Sequence, residues 1–365
     1  VIIPGVAGQS ALLTDLERRG VLDLAPLRGQ WEAYALVPLT NPFPGVDAAL
    51  VIAGSDERGA LFALYDASER LFGTDPQRFW TGHRPAHTVM PVWRGPPVWV
   101  PPPGFRYRAL YVNDEDQLAG WTSEAAQGAL DDNTCDRLFA TILRLRGNTI
   151  APPVHLAPFT PEQQRRARAR GLLVAGTTGF EALRGAPGLT WPEFALATFS
   201  SNLPYSYSLH PREVEAFWAA IVRANRDFIS IWPVGMRGTR DWPFWMDDPA
   251  APTSMVERAR LITRVIQRQC ALLDHELGPD PARAFIFTMR NEGLELYRTG
   301  QLGLPANTML VWDDWPKTGR IRSLPAAREA VRPGGHGVYY HLTSSQAQWI
   351  QHIPPALIAA ELTRA

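Results

Sequence analysis

Carboxylates, arginines and aromatic residues gather where five short apolar runs end: ALYVNDED (109–116), FISIWPVGMRGTRDW (228–242), AFIFTMRNE (284–292), MLVWDD (309–314) and GVYYH (337–341). Side chains alternate along a strand, so in the first run Asp114 and Asp116 share one face and Glu115 takes the other. In the second, Gly235 and Gly238 bracket Met236 and Arg237, with Arg240 and Asp241 behind them. Two arginines on a glycine-hinged loop suit a carboxylate ligand gripped by paired donors, as a uronic acid would offer. Glu292 closes the third run. Asp313 and Asp314 close the fourth, where mutual repulsion and burial raise one carboxyl toward the working range of a general acid. His341 closes the fifth. Asn113, Trp312 and Tyr340 stand beside these groups and are candidates to touch substrate. Bland readings exist for each: Asp116, Asp313 or Asp314 as helix or turn caps, an Arg237–Asp241 salt bridge, a hydrogen-bonded structural His341.

Such runs read as strands of a parallel α/β barrel, whose interiors need Val, Ile, Leu and Phe and whose C-terminal ends collect the chemistry. The expected fold is α/β, a (β/α)8-type barrel over residues 105–365 preceded by a small N-terminal α/β domain over 1–104. In the N-terminal part, VIIPGV, WEAYALVPL and AALVIAGS read as strands, and SALLTDLERRG and ERGALFALYDASERLFG as helices. The stretch 91–105 is too proline-rich for a helix or a central strand and is taken as the connector. Beyond it, strands YRALYVND, NTIAPPV, LLVAGT, FISIWPVG, AFIFTM, MLVWDD and GVYYH alternate with helices around 131–147, 160–171 and 211–227, over 254–277, a short one after AFIFTM, and SLPAAREAVR. Residues 187–211 read as a longer excursion rich in Trp, Pro and Ser. That makes seven strands. An eighth is expected after the final helix IPPALIAAEL, where the sequence stops, and VIIPG reads as the middle of a strand, so truncation at both ends is expected.

Composition narrows the function classes. Lys plus Arg equals Asp plus Glu at 36 each, and the one basic stretch, QQRRARARG, reads as a solvated helix face, which argues against a nucleic-acid partner. No apolar stretch approaches the roughly 20 residues of a membrane span. Cys135 and Cys270 sit in helical, apolar surroundings and read as buried free thiols. Thirteen tryptophans include Trp121, Trp232, Trp242, Trp245, Trp312 and Trp315 beside the acidic strand ends. Indole faces pack on pyranose C–H faces, although filling a core is the ordinary use of Trp. There is no phosphate loop, paired-cysteine zinc spacing, HExxH or serine elbow, and GTTG (176–179) is too short for a nucleotide fingerprint. No cofactor or metal is expected. Carboxylate acid/base chemistry remains, which is what glycoside hydrolysis uses.

The blocks GSDERGALFALYDASERLFG, YRALYVNDED, GMRGTRDW, LVWDD, GRIRSLP and GGHGVYYH resemble glycoside hydrolase family 115, the α-glucuronidases, in the family's order and from about residue 2 to 350. The resemblance implies an inverting enzyme that removes glucuronic or 4-O-methylglucuronic acid from a polysaccharide such as xylan. It marks Asp114, Arg237, Asp241, Glu292, Asp313, Asp314 and His341 as pocket residues. Glu292 is expected as general acid, Asp114 or Asp313 as holder of the attacking water, and Arg237 as partner of the sugar carboxylate. The chain departs from the pattern at Gly179–Ala182, at Ile150–Pro152, at Trp315 in place of Asn, and at LTSSQAQW after His341. Replacing hydrogen-bonding groups by Phe and Trp should change how sugar hydroxyls are read. A glycosidase of different sugar specificity and a catalytically weak carbohydrate-binding relative are the alternatives. Carboxyl separation separates the readings, roughly 6.5 to 9.5 Å for inversion and about 5 to 5.5 Å for retention. A polysaccharide substrate favours secretion or the periplasm, and an oligomer is not indicated.

Overall fold

A computed structural model of the chain describes residues 1–85, 92–112, 130–152, 159–176, 183, 187–240, 242–315, 318–326, 329–342 and 353–365. Two compact units emerge from the chain's contacts: Val1–Ala151 with Glu162–Leu173, and Pro152–Pro161 with Val174–Ala365.

In the first unit, β1 (Ile2–Val6), α1 (Ala11–Arg18), β2 (Tyr34–Phe43), β3 (Val46–Gly54), α2 (Glu57–Phe72), the single turn α3 (Arg78–Thr81) and β4 (Val98–Val100) form an α/β layer. Its sheet runs β1-β3-β2-β4. The β2–β3 hairpin is antiparallel and β1 is parallel to β3. Leu13 and Leu16 of α1 pack with Ile3, Val37, Val51 and Ala53 into the apolar core of the layer. Helix α2 starts at Asp56, whose Oδ1 accepts from Gly59 N at 2.7 Å, and stops at Gly73 in the left-handed conformation. The proline-rich connector supplies the edge strand β4, antiparallel to β2. An edge is where a Pro-flanked segment can pair, because only one side of it must donate.

The same unit holds β5 (Ala109–Tyr111), α4 (Asp132–Arg144), β6 (Thr149–Ala151) and most of α5 (Pro161–Ala169), with β5 and β6 parallel. Helix α4 buries the spaced set Cys135, Leu138, Phe139 and Ile142. Glu32, 1 % exposed, ties these strands to the layer. Its carboxylate accepts from Arg58 Nε and Arg108 Nη2, both at 2.6 Å, and from Asn148 Nδ2 at 2.9 Å. A buried carboxylate is tolerated only when paired and hydrogen-bonded, and Glu32 is both. The arginines of α5 pair outward, Arg165 with Glu162 and both Arg166 and Arg170 with Asp136.

In the second unit, β7 (Leu173–Ala175, from Val174 on), β8 (Ile229–Pro233), β9 (Ala284–Met289), β10 (Thr308–Trp315) and β12 (His336–Tyr339) run in parallel, each beside the next; the two-residue β11 (Arg320–Ile321) turns back on the end of β10. Between them lie α6 (Pro187–Phe199), α7 (Pro211–Asn225), α8 (Met255–Leu277) and α9 (Glu292–Arg298), and α10 (Pro355–Arg364) follows β12. The architecture is mixed α/β with a parallel succession of strands; an eighth barrel strand is not present among the described residues.

Two expectations from the sequence are corrected here. Part of the excursion 187–211 is helical: α6 carries Pro192 in its interior, and Trp191 anchors it by ring contacts to Tyr205 and Phe217 and by an indole N–H bond to Leu203 O. Tertiary packing of Trp191 outweighs the breaker. Conversely, SLPAAREAVR is not a helix among its described residues. Glu329 bends this segment instead, its carboxylate accepting from Ala326 N and from the Tyr297 hydroxyl, both at 3.0 Å. Both thiols are free, Cys135 buried and Cys270 partly so. Burial pushes them up, to about 12 and about 11 respectively. Among the described residues no helix is long and apolar enough to cross a membrane.

Candidate active site

The ends of β8 and β9 place the first pair. After β8 the chain turns at Gly235, with φ of 115°, where a Cβ would stand 3.1 Å from the Phe287 ring. Gln269 fixes this turn from α8. Its Oε1 accepts from Gly235 N and its Nε2 donates to Gly235 O, both at 2.8 Å, and the residue is fully buried. Two residues on, Arg237 donates from Nε and Nη2 to Glu292 at 2.5 and 3.1 Å, both side chains nearly inaccessible. Glu292 reaches this position because β9 ends in a tight turn: Asn291 sits at φ 47°, and a Cβ on Gly293 would meet Thr288 O at 2.5 Å.

The end of β10 places the second pair. Trp312 is level with Met289 on β9 and Asp313 with Tyr339 on β12, so Asp313 and Asp314 extend one and two steps past the end of β9. Asp314 is inaccessible; His341 donates from Nδ1 to Asp314 Oδ1 at 2.6 Å and from its backbone N–H to Oδ2 at 3.3 Å. Asp313 is different. Both carboxyl oxygens are buried without a hydrogen bond, and Arg322 Nε, 3.5 Å from Oδ1, already donates to Asp314 O. Burial pushes Asp313 up from 3.8 to about 6, helped by Asp314 and opposed by Arg322, Arg290 and His341.

Arg322 joins the two pairs. It donates from Nη1 to Asn291 Oδ1 at 3.2 Å, beside Glu292, and packs its guanidinium over Trp315 at 4.0 Å. An open cavity of about 590 Å³ is lined by Arg237, Glu292, Arg298, Arg322 and the tryptophans 242, 245 and 315 among others. Asp313 and Asp314 are absent from that lining; they meet the cavity through Arg322.

Of the residues singled out from the sequence, Arg237, Glu292, Asp313, Asp314 and His341 therefore belong to one continuous set of contacts. Asn113, Asp114 and Asp241 lie outside the described residues, as do Trp121 and Gly179–Ala182. Trp312 is 4 % exposed, with its indole N–H on His336 Nδ1, and acts as packing under the site. Trp232 is buried as well. Tyr340 donates its hydroxyl to Gly319 O at 2.6 Å. Arg237, assigned from the sequence to the sugar carboxylate, is already committed to Glu292. The sequence reading missed Arg322 and Gln269. Arg322 lies inside the block GRIRSLP, but nothing there marked it as a residue of the site. Gln269 was detectable as the one polar residue in the buried stripe Ile262, Val265, Ile266, Gln269, Leu273 of α8. Replacing Gln269 by Leu would strand both polar groups of Gly235. We expect a loss of about 2–3 kcal/mol in urea denaturation, with Gln269→Glu intermediate.

The profile described as Glycosyl hydrolase family 115 matches residues 101–365, more than half of the chain. This chain belongs to that family. Among solved structures, it is similar to the family 115 4-O-methyl-α-glucuronidase BtGH115A, described as having specificity for decorated arabinogalactans, at 26 % identity and a TM-score of 0.84, over 100 % of this chain and 47 % of that one. The present family 115 chain thus spans about half the length of that relative. Weaker likenesses are to a GH138 enzyme targeting pectin rhamnogalacturonan II (12 % identity, TM-score 0.46, 87 % of this chain and 39 % of that one) and to a family 89 glycoside hydrolase from Clostridium perfringens (9 %, 0.45, 80 % and 37 %). Comparison with curated protein sequences returns no match.

Proposed function

We propose that this family 115 chain carries the catalytic centre of an inverting glycoside hydrolase that removes α-linked glucuronic or 4-O-methylglucuronic acid from a polysaccharide. The observation that carries the reading is the contrast between its two described carboxyl types in one network. Glu292 lines the cavity with both oxygens accepting from Arg237, which suits a carboxylate that orients and deprotonates water. Asp313, buried and without a hydrogen bond, holds a proton up to about pH 6, which suits an acid. This reverses the roles expected from the sequence for Glu292 and Asp313. Asp314 orients His341 beside them. The arginines at the cavity favour an anionic sugar, and the strand-then-helix succession supports a (β/α)8 barrel around the site.

Xylan is the substrate suggested by the sequence, while the structural relative acts on decorated arabinogalactans. Both belong in the test. Glucuronoxylan oligosaccharides, an acidic arabinogalactan and 4-nitrophenyl α-D-glucuronide are incubated with the protein, and the released sugar is followed by anomer-resolved NMR. Release of β-anomeric uronic acid is expected. Release of the α-anomer would sink inversion, and release of no uronic acid from any of the three would sink the reading.

A further inference from the structure

We propose that Trp315 is the platform on which a neutral sugar of the polysaccharide chain stacks while its uronic acid branch occupies the site; the assignment of the branch, not of the stacking, rests on the function proposed above. Trp315 ends β10 directly after Asp314 and lines the open cavity, yet it is 54 % exposed. Its carbonyl accepts from Thr318 N and Gly319 N, both at 2.9 Å, and it pairs with Arg320 across the β10–β11 turn, which pins the backbone. One face of the indole is covered by Arg322 at 4.0 Å, and Arg322 is itself tethered to Asp314 O and Asn291 Oδ1. The remaining exposure therefore belongs to a held ring with its other side toward solvent. A fixed, exposed indole beside a cavity is preorganised for a partner, because little side-chain freedom is left to lose on binding.

The chemistry of the occupant follows from the ring. An aromatic face is the negative side of its quadrupole and attracts the weakly positive C–H face of a pyranose while disfavouring a carboxylate. The uronate is thus the wrong partner for this face and a neutral backbone sugar the right one. The cavity offers the same chemistry at two more held rings. Trp242 donates its indole N–H to Asp247 at 2.8 Å, and Trp245 lies under Arg258 at 4.0 Å. Trp315 differs in being tethered directly to the strand that carries the aspartates.

The test uses neutral probes. Xylohexaose and an unbranched galacto-oligosaccharide are titrated calorimetrically into the wild-type protein and into Trp315→Ala and Trp315→Phe. At least one probe should bind, with affinity falling about tenfold in Trp315→Ala and largely recovered in Trp315→Phe. Wild-type protein that binds neither probe, or Trp315→Ala that binds as wild type does, overturns the platform. In turnover, Trp315→Ala should raise KM on a uronate-bearing oligosaccharide about tenfold more than on the aryl glucuronide, with kcat changing less than KM; equal rises in KM on both substrates overturn it. If Trp315→Ala does not fold, acrylamide quenching of wild-type indole fluorescence decides: the probe must shield the ring, and no shielding overturns the proposal. Neutral-probe binding that depends on Trp315 in a protein without turnover on any uronate would sink the hydrolase reading and leave the platform standing.

Discussion

Asp313→Asn is expected to lower kcat/KM by about 10²–10⁴-fold while leaving the fold intact or firmer at neutral pH. The activity loss follows from removing the one described carboxyl at the strand ends that burial keeps protonated into the mildly acidic range. Asn fills the same volume and offers no proton. In the unaltered protein kcat/KM should fall as pH rises through about 6, the value to which burial pushes Asp313. The stability effect has the opposite character. Asp313 is raised in the folded protein above its unfolded value of 3.8, so the folded state binds the extra proton between about pH 4 and 6. The stability this lends is complete below the unfolded value and is lost as pH climbs through the folded one. Thermal midpoints measured at pH 4.5, 6 and 8 should therefore decline more steeply for wild type than for Asp313→Asn. Parallel declines, or undiminished turnover in Asp313→Asn, would remove Asp313 as the acid.

Arg237→Ala should be the most damaging single change to stability, at about 3–5 kcal/mol in urea denaturation. The loss comes from what remains behind: Glu292, 5 % exposed, with both oxygens stripped of their charged partner. Neutralising the survivor as well should recover much of it, so the double change Arg237→Ala with Glu292→Ala is expected to cost clearly less than the sum of Arg237→Ala and Glu292→Ala made singly. Simple additivity in that cycle would mean that Glu292 finds other support. Activity is expected to vanish in every one of these variants, because the water-holding carboxylate is either missing or released from its orientation.

How much of this was legible beforehand depended on what kind of signal each part leaves. The strands β8 to β10 were readable because a parallel strand covered on both faces must be a continuous apolar run, and AFIFTM and MLVW are such runs. Their polar ends were readable for the same reason, since the burial pattern breaks there. Pairing was not. Nothing in the sequence says that Arg237 turns to Glu292 and not to Asp241 or a ligand, since that depends on the Gly235 turn and on Gln269, which lies 34 positions away from it. The roles of Glu292 and Asp313 are likewise set by who donates to them, a three-dimensional property that two acidic residues at two strand ends do not reveal. Helix α6 stayed hidden because Pro192 is a local breaker outweighed by distant aromatic packing.

Glu32 carries a consequence for how this chain can be recombined. It sits just ahead of β2 in the N-terminal layer, yet its carboxylate grips Arg108 and Asn148, which precede β5 and β6, and β5 is the strand that runs into Asn113 and Asp114. A cut at the proline-rich stretch, attractive on the linear map, would take from buried Glu32 two of its three partners, leaving it Arg58 alone. The leading hundred residues are thus not an interchangeable cassette: a replacement must bring its own acid to the same spot.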